Sequence, residues 1–245
     1  MHLGYDPLEA RPIRLDAIAR LAAWWSADGG DAALHPRHGV DPKTLARTMK
    51  LVGDIGGSDL GPSSAEKDKD MEEELVAFGE AALPALEHGL KWAPGFAEKR
   101  ATVCRILGRI GETSAGPALC AALRDPVIGV AGWAAWSLER VRDPEAVRAL
   151  RRYEQRLLSL ASSGMLPTEV GPADRLVAQA ARSRLVLGDE TARDALVGLL
   201  LSEDEYSRKI AIEALVAHFG DDKGYEPEAD AGARRAAAAK WLGTR

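Results

Sequence analysis

Residues 97–150 decide the fold, and they read AEKRATVCRILGRIGETSAGPALCAALRDPVIGVAGWAAWSLERVRDPEAVRAL. Apolar side chains recur at steps of three and four before Ile110 and again before Val141, which places each set on one face of a helix. Two triplets follow, Ile110-Gly111-Glu112 and Val141-Arg142-Asp143, 31 residues apart. Each triplet predicts a helix end and a tight turn, because glycine closes a helix in the left-handed conformation. The acidic residue can then accept N–H groups at the start of a second helix.

The same triplet recurs along the chain as Phe78-Gly79-Glu80, Leu187-Gly188-Asp189 and Phe219-Gly220-Asp221. Successive steps between the first members are 32, 31, 46 and 32 residues. Periods of this size are typical of stacked helical repeats. A single helix pair cannot bury its own apolar stripe, so neighbouring pairs must cover it. The sequence therefore predicts an all-α chain built from helix–turn–helix units.

Two stretches resemble a known family: DPVIGVAGWAAWSLERVRDPEAVRAL at 125–150 and LVAFGEAALPALEHGL at 75–90. They resemble HEAT repeats of the short bacterial type, also called HEAT-like or phycobilin-lyase-type repeats. The resemblance covers about residues 71–220. It implies a right-handed α-solenoid of stacked antiparallel helix pairs, with the second helices lining a concave surface. Most proteins of this kind are scaffolds, and a few are enzymes.

Composition and charge narrow the function classes. Hydrophobic residues make up 46% of the 245 residues and aromatic residues 5%, which is typical of a helix-rich chain. The net charge of −5 provides no global basic field for nucleic acid or an anionic membrane. Cys104 and Cys120 lack metal-site spacing and are expected to be core thiols. No apolar run reaches membrane-spanning length and the first residues lack the pattern of a signal peptide, so we expect a cytoplasmic protein.

The expected organisation has three parts. Residues 1–52 form an N-terminal helical segment, with helices expected at 12–25 and, from Asp41-Pro42 onward, at 42–52. Residues 53–70 form a flexible linker rich in glycine, serine and charge, and 71–245 form a repeat array closed by a helix at 229–242. Gly-Tyr-acid-Pro occurs at 4–7 and again at 224–227. Either this motif closes both ends of the array, or the chain is a section of a longer array whose preceding unit ends at residues 1–25. The second interpretation is favoured, since the motif's natural place is after a helix.

The step of 46 residues exceeds the period by about 15, and the excess lies near residues 151–176. We expect the second helix of this unit to continue to about Ala161, with Leu150, Leu157, Leu158 and Ala161 as its apolar stripe. The stretch SSGMLPTEVGP then forms a projecting loop. Insertions in repeat arrays map to loops, often on the binding side. A tolerated surface insertion remains an equal alternative.

Candidate chemistry is sparse. His35 and His38 have the spacing of two metal ligands, but they lie in a loop-like stretch, and a turn is favoured. Glu87-His88 reverses the order of the His-Glu pairs in the iron-binding hydroxylases built from HEAT-like repeats. Gly53, Gly56 and Gly57 lack the lysine and the strand–helix context of a phosphate loop. We therefore predict no catalytic, cofactor-binding or metal-binding residue.

An arginine cluster marks the predicted partner site. It comprises Arg140, Arg142, Arg148, Arg151, Arg152 and Arg156, interleaved with Glu139, Glu145 and Glu154, so pairing at the surface is expected. Trp133 and Trp136 are more typical of packing between repeats than of a stacking platform for bases.

We predict a non-catalytic scaffold that binds a protein partner, with no nucleic acid and no membrane. The predicted contact residues are Arg148, Arg151, Arg152 and Met165. The alternative is a HEAT-like enzyme or nucleic-acid binder, similar to a DNA glycosylase or a phycobilin lyase.

Overall fold

In the computed structural model, residues 39–55, 62–91 and 96–242 are described, and they contain helices and turns but no β-strand. The helices are α1 Pro42–Asp54, α2 Pro62–Phe78, α3 Leu83–Gly89, α4 Ala97–Ile110, α5 Gly116–Ala122, α6 Ile128–Val141, α7 Ala146–Ser162, α8 Ala173–Val186, α9 Ala192–Leu199, α10 Glu205–Phe219 and α11 Ala231–Leu242. Short 3-10 turns occupy Gly79–Ala82, Thr113–Ala115 and Thr168–Val170. The all-α fold class is confirmed.

The tight turns predicted at the five triplets, called corners here, are all present. The second residue of each triplet has a positive φ: Gly79 56°, Gly111 76°, Arg142 55°, Gly188 87° and Gly220 76°. The first residue of each triplet is the last residue of a helix or the one after it. The five triplets therefore share one backbone conformation at equivalent places in their units.

Three of the acidic residues that complete the triplets bind an N–H within the turn and not at the start of a helix, because α7 and α9 begin without a side-chain capping bond and no helix directly follows Asp221. Carboxylate oxygens of Asp143, Asp189 and Asp221 accept the N–H of the residue two positions on, at 3.0, 3.2 and 2.8 Å. Glu112 makes no such capping bond. Its longer side chain is a less favoured cap than aspartate.

The chain divides into two compact units, Met1–Ile110 and Gly111–Arg245. In the first unit, α1 packs against α3, and α2 against α4. Val52, Leu75, Leu86 and Leu107 are almost completely buried there. The boundary falls at the corner formed by Gly111.

Helix α8 is the centre of the second unit. It contacts α6, α7, α9 and α10, and its buried face is rich in alanine. The first helices α6, α8 and α10 are successive neighbours, and among the second helices α5 contacts α7 and α9 contacts α11. This is the neighbour-on-neighbour packing of a helical repeat. The right-handed solenoid itself stays a prediction.

Helix α11 lies within the range predicted for the closing helix, packs against α9, and buries Ala237, Ala238 and Trp241. Its role in closing the array stays a prediction. The Gly-Tyr-acid-Pro motif at 224–227, which precedes α11, is hydrogen-bonded to two buried residues of the second unit. The Tyr225 hydroxyl donates to the Leu200 carbonyl, and Arg208 Nε donates to the Pro227 carbonyl at 2.8 Å.

One expectation on domain organisation is corrected. Helix α2 begins at Pro62, so residues 62–70 are helical and not part of a flexible linker. Lysine, glutamate and alanine in this stretch favour a helix in spite of its charge. The division into 1–52, 53–70 and 71–245 otherwise stays a prediction.

Several predictions lie outside the described residues: the helix at 12–25, His35 and His38, Gly56 and Gly57, and the N-terminal Gly-Tyr-acid-Pro motif. The next helix, α1, begins at Pro42 as expected, where Asp41 accepts the N–H groups of Lys43 and Thr44 at 3.0 Å. No helix in the described ranges combines the length and the apolar character that crossing a lipid bilayer requires.

Candidate interaction surface

Helix α7 is the longest second helix of the second unit and carries the residues that the sequence singled out. It spans 17 residues, against 7 in α5 and 8 in α9. Ala146, Leu150, Tyr153, Glu154 and Leu157 form its buried side. Its exposed side includes Arg148, Arg151, Arg152, Gln155 and Leu158, called here the α7 face, and also Ser159, Ala161 and Ser162 near its end. The inserted residues therefore lengthen the helix before they form a loop.

The three predicted arginines all lie on the α7 face, but they differ in their contacts. Arg148 and Arg152 are exposed, and neither forms an ion pair with any residue that the structure describes. Arg151 makes a bidentate contact with Asp189, Nη2 to Oδ1 at 2.6 Å and Nε to Oδ2 at 2.9 Å. Its side chain is nevertheless 48% exposed. Arg151 thus connects α7 to the corner before α9, and part of its guanidinium is still exposed to solvent.

Asp189 is the centre of a buried charge network that joins α7, α8 and the corner before α9. Arg184 Nε donates to Asp189 Oδ2 at 2.8 Å, and Arg184 Nη1 also pairs with Glu154. The Asp189 side chain is only 3% exposed. Hydrogen bonds from Arg151, Thr191 and Arg184 hold the pKa of this carboxyl far below its usual range. The network fixes α7 against α8 and orients the guanidinium of Arg151.

The expected pairing among the arginines and glutamates is formed between helices, not along α7. Glu154 turns inward to Arg184, so none of the five members of the α7 face carries a carboxylate. Arg156 donates to the carbonyl of Asp125 at 2.9 Å, and Arg140 lies 3.5 Å above the Trp136 ring. The six arginines of the sequence cluster therefore do not all lie together, and only Arg148, Arg151 and Arg152 share the α7 face.

Two large apolar side chains are exposed near the far end of α7, beside the exposed Ser159 and Ser162. Leu158 is 51% exposed and Met165 is 70% exposed. The Met165 N–H donates to the Leu160 carbonyl at 2.9 Å, which holds the start of the loop on the helix end. The sequence pattern had assigned Leu158 to the buried stripe, and this is wrong. Leu157 takes the buried position, and the next residue of a helix points about 100° away.

The two tryptophans of α6 contact each other along one helix and Trp133 is 40% exposed, so their packing between repeats stays a prediction. The rings of Trp133 and Trp136 form an edge-to-face pair with centroids 5.5 Å apart and an interplanar angle of 81°. Arg140 covers the second ring. A further exposed aromatic residue, Tyr206 on α10, lies 5.2 Å from the guanidinium of Arg175, which also pairs with Asp204. Sequence reasoning did not identify Tyr206, because no periodic pattern distinguishes it.

Within residues 39–55, 62–91 and 96–242, no three histidine, cysteine or acidic side chains converge on a possible metal position. His218 Nε2 lies 2.9 Å from Glu190 Oε1 at an exposed corner. Cys104 and Cys120 form no disulfide, and burial raises the pKa of the Cys120 thiol to about 11. That the protein has no catalytic, cofactor or metal residue stays a prediction.

Comparison with known proteins gives one match. Residues 83–155 match a family model described as HEAT repeats. The match begins at α3 and ends inside α7, at Gln155. It therefore includes the arginines of the α7 face but stops before Leu158 and Met165. No curated protein and no solved structure matches the chain.

Proposed function

Because the chain contains HEAT repeats, we propose that it is a non-catalytic scaffold that binds a protein partner through the α7 face and Met165. The observation that carries this proposal is the combination of two exposed arginines that form no ion pair among the described residues with two large exposed apolar side chains, one on the same helix and one just beyond its end. Arginine is enriched among the residues that contribute most to the binding energy of protein interfaces, and methionine is enriched at such interfaces.

The surroundings of the face support a binding role, because they hold its side chains in place before a partner arrives. Arg151 is oriented by Asp189 and Thr191, and α7 is fixed by the Arg184–Glu154 pair. A surface that is already ordered loses less conformational entropy on binding.

Site-specific photo-cross-linking in cells that express the full chain tests the proposal. A benzoylphenylalanine at Gln155 lies at the middle of the α7 face, and one at Ala236 provides an exposed control on α11. We expect a discrete cross-linked protein adduct from position 155 and none from position 236. The proposal is rejected if position 155 gives no adduct, or if both positions give the same adducts.

A further inference from the structure

The α7 face is not uniform along its length. Arg148, Arg151 and Arg152 occupy its first half, Gln155 its middle, and Leu158 its second half, with Met165 just beyond the helix end. At a rise of about 1.5 Å per residue, the centres of the two halves lie on the order of 10–15 Å apart. A partner must therefore satisfy positive charge at one end and apolar surface at the other.

The positive charge of the first half is not neutralised within the described structure. Asp189 compensates Arg151, and Glu154 is buried with Arg184. Glu145, one turn before Arg148, forms no ion pair with it in the part of the chain that the structure describes. Arg148 and Arg152 remain as two exposed guanidinium groups one helical turn apart.

We propose that the α7 face binds an acidic polypeptide segment whose carboxylates contact Arg148 and Arg152 and whose apolar side chain packs against Leu158 and Met165. This inference rests on the proposed function and specifies the chemistry of the partner. The guanidinium fork matches a carboxylate in a bidentate geometry, and Arg151 with Asp189 shows that geometry on the same helix. At about 3.3 Å per residue, an extended segment of roughly four or five residues spans the two halves.

Other polyanions fit the face less well. A membrane surface or a nucleic-acid backbone presents many charges, whereas this surface offers three arginines on one helix of a chain with net charge −5. A second copy of this chain could offer the exposed acids of the segment before α11: Asp221, Asp222, Glu226, Glu228 and Asp230. Each of these occupants gives a distinct result in the experiment below.

Fluorescence anisotropy with the full chain tests the proposal. The probe is a fluorescein-labelled peptide of four glutamates, two glycines and two leucines, used with its reversed sequence. One comparison peptide replaces the glutamates by lysines, and another replaces the leucines by alanines. We expect the acidic leucine peptide to bind in at least one direction, the lysine peptide not to bind, and the alanine peptide to bind more weakly. Raising the salt concentration should weaken binding, because the charges are exposed.

Variants locate the binding. The double variant Arg148→Glu with Arg152→Glu should weaken binding by at least about tenfold, because each acidic substitution repels the peptide. Leu158→Ala should weaken it several-fold. Arg235→Glu, on the exposed side of α11, reverses a charge elsewhere and should leave binding unchanged. All four positions are exposed, so thermal unfolding followed by circular dichroism should be the same for each variant.

Four outcomes would overturn the proposal. They are equal binding of the lysine peptide, unchanged affinity in the double variant, tighter binding of duplex DNA or of vesicles with 30% phosphatidylserine than of the acidic peptide, and a dimer in light scattering that the double variant dissociates. If position 155 cross-links to a protein but the acidic peptide does not bind, the partner chemistry is wrong and the scaffold function stands. If both fail, the proposed function fails as well.

Discussion

At the scale of single residues, two buried tyrosines show opposite situations for the same hydroxyl group. Tyr153 on α7 is 2% exposed, and its hydroxyl has no hydrogen-bond partner among the described residues. Tyr225 is 4% exposed, and its hydroxyl donates to the Leu200 carbonyl. A buried polar group is costly when unpaired and modestly favourable when paired.

We therefore predict opposite effects of the same substitution at these two tyrosines. Tyr153→Phe should leave the free energy of unfolding unchanged or raise it by up to about 1 kcal/mol, because it removes an unpaired hydroxyl. Tyr225→Phe should lower it by about 1 kcal/mol, because it leaves the Leu200 carbonyl without its donor. Urea unfolding of both variants measures the difference. A loss of stability in Tyr153→Phe as large as that in Tyr225→Phe would contradict the assignment.

Two helical glycines provide a second matched pair. A Cβ added to Gly116, at the start of α5, would lie 2.7 Å from Cγ of the buried Asp143. A Cβ added to Gly198, in α9, would meet nothing within 4 Å. We predict that Gly116→Ala lowers the free energy of unfolding by about 1–3 kcal/mol through overpacking. Gly198→Ala should raise it by about 0.5–1 kcal/mol through helix propensity. Thermal and urea unfolding measure both changes in stability. A Gly116→Ala variant that is more stable than the parent chain would show that Asp143 moves away at little cost.

Single residues also show how far sequence reasoning reaches. The repeat spacing predicted a corner at Arg142, although an arginine pays a steric penalty that glycine avoids at positive φ, and the structure confirms it. Leu158 was assigned wrongly, because adjacent leucines at 157 and 158 leave the orientation of a helix undecided by one position. Tertiary packing decides which of the two is buried, and the sequence pattern does not contain that information.

At the scale of elements, the charge network around Asp189 makes the attachment of α7 to α8 dependent on pH. The folded protein lowers the pKa of Asp189 through Arg151, Thr191 and Arg184. It also lowers the pKa of Asp204, mainly through Arg175. Because the unfolded chain keeps the ordinary value of about 3.8, it binds more protons than the folded chain as the pH falls. The stabilisation is complete well above that value and is lost as the pH decreases below it.

We predict that the free energy of unfolding falls steadily between pH 5 and pH 3, and that Asp189→Asn makes this decrease shallower. At pH 7 the same variant should be less stable by about 1.5–3 kcal/mol, because charge-assisted hydrogen bonds are lost in a buried place. Urea unfolding across the pH range measures both effects. Arg151→Ala, which removes the exposed member of the network, should have a smaller effect at pH 7. An unchanged pH slope in Asp189→Asn would exclude this carboxylate as a source of acid sensitivity.

The elements were predictable where apolar spacing was strong. Helices α4 and α6 follow from apolar stripes and corner residues, the end of α10 from its corner at Gly220, and α11 from the repeated Gly-Tyr-acid-Pro motif before it. Helix α2 was missed over 62–70, since that stretch has charge and no clear stripe. The ion pairs were predicted within α7 but formed across helices, as between Glu154 and Arg184. Spacing along one helix cannot reveal partners that lie 30 residues away in the sequence.

At the scale of the whole molecule, the backbone amides of the second unit should differ in their protection against hydrogen exchange. Helix α8 contacts four helices and buries seven of its fourteen residues, whereas α11 packs mainly on α9 and buries three of twelve. Local opening is easiest where few buried contacts must break. We predict that native-state hydrogen exchange followed by mass spectrometry finds the slowest amides in α8 and markedly faster ones in α11. Equal protection of the two helices would show that α11 opens only with the whole unit.

For the whole molecule, the sequence determined the kind of unit but not the partner. Helix–turn–helix units and their corners could be read from the steps of 31 and 32 residues. The α7 face could be located only in part: its arginines and the neighbouring Met165 were predicted from the sequence, whereas Leu158 was assigned to the buried stripe. Recognition depends on which side chains stay exposed after packing, and each unit buries a different subset.

The left-handed corners have one consequence for how such a chain can change length. Gly188 and Gly220 have the same backbone conformation 32 residues apart, and the step from Arg142 to Gly188 absorbs an extra stretch without altering either corner. The register of successive units thus depends on these turns, called joints here, and not on the number of residues between them. Duplication or excision of one segment between matching joints would give a longer or shorter relative whose remaining units keep their geometry.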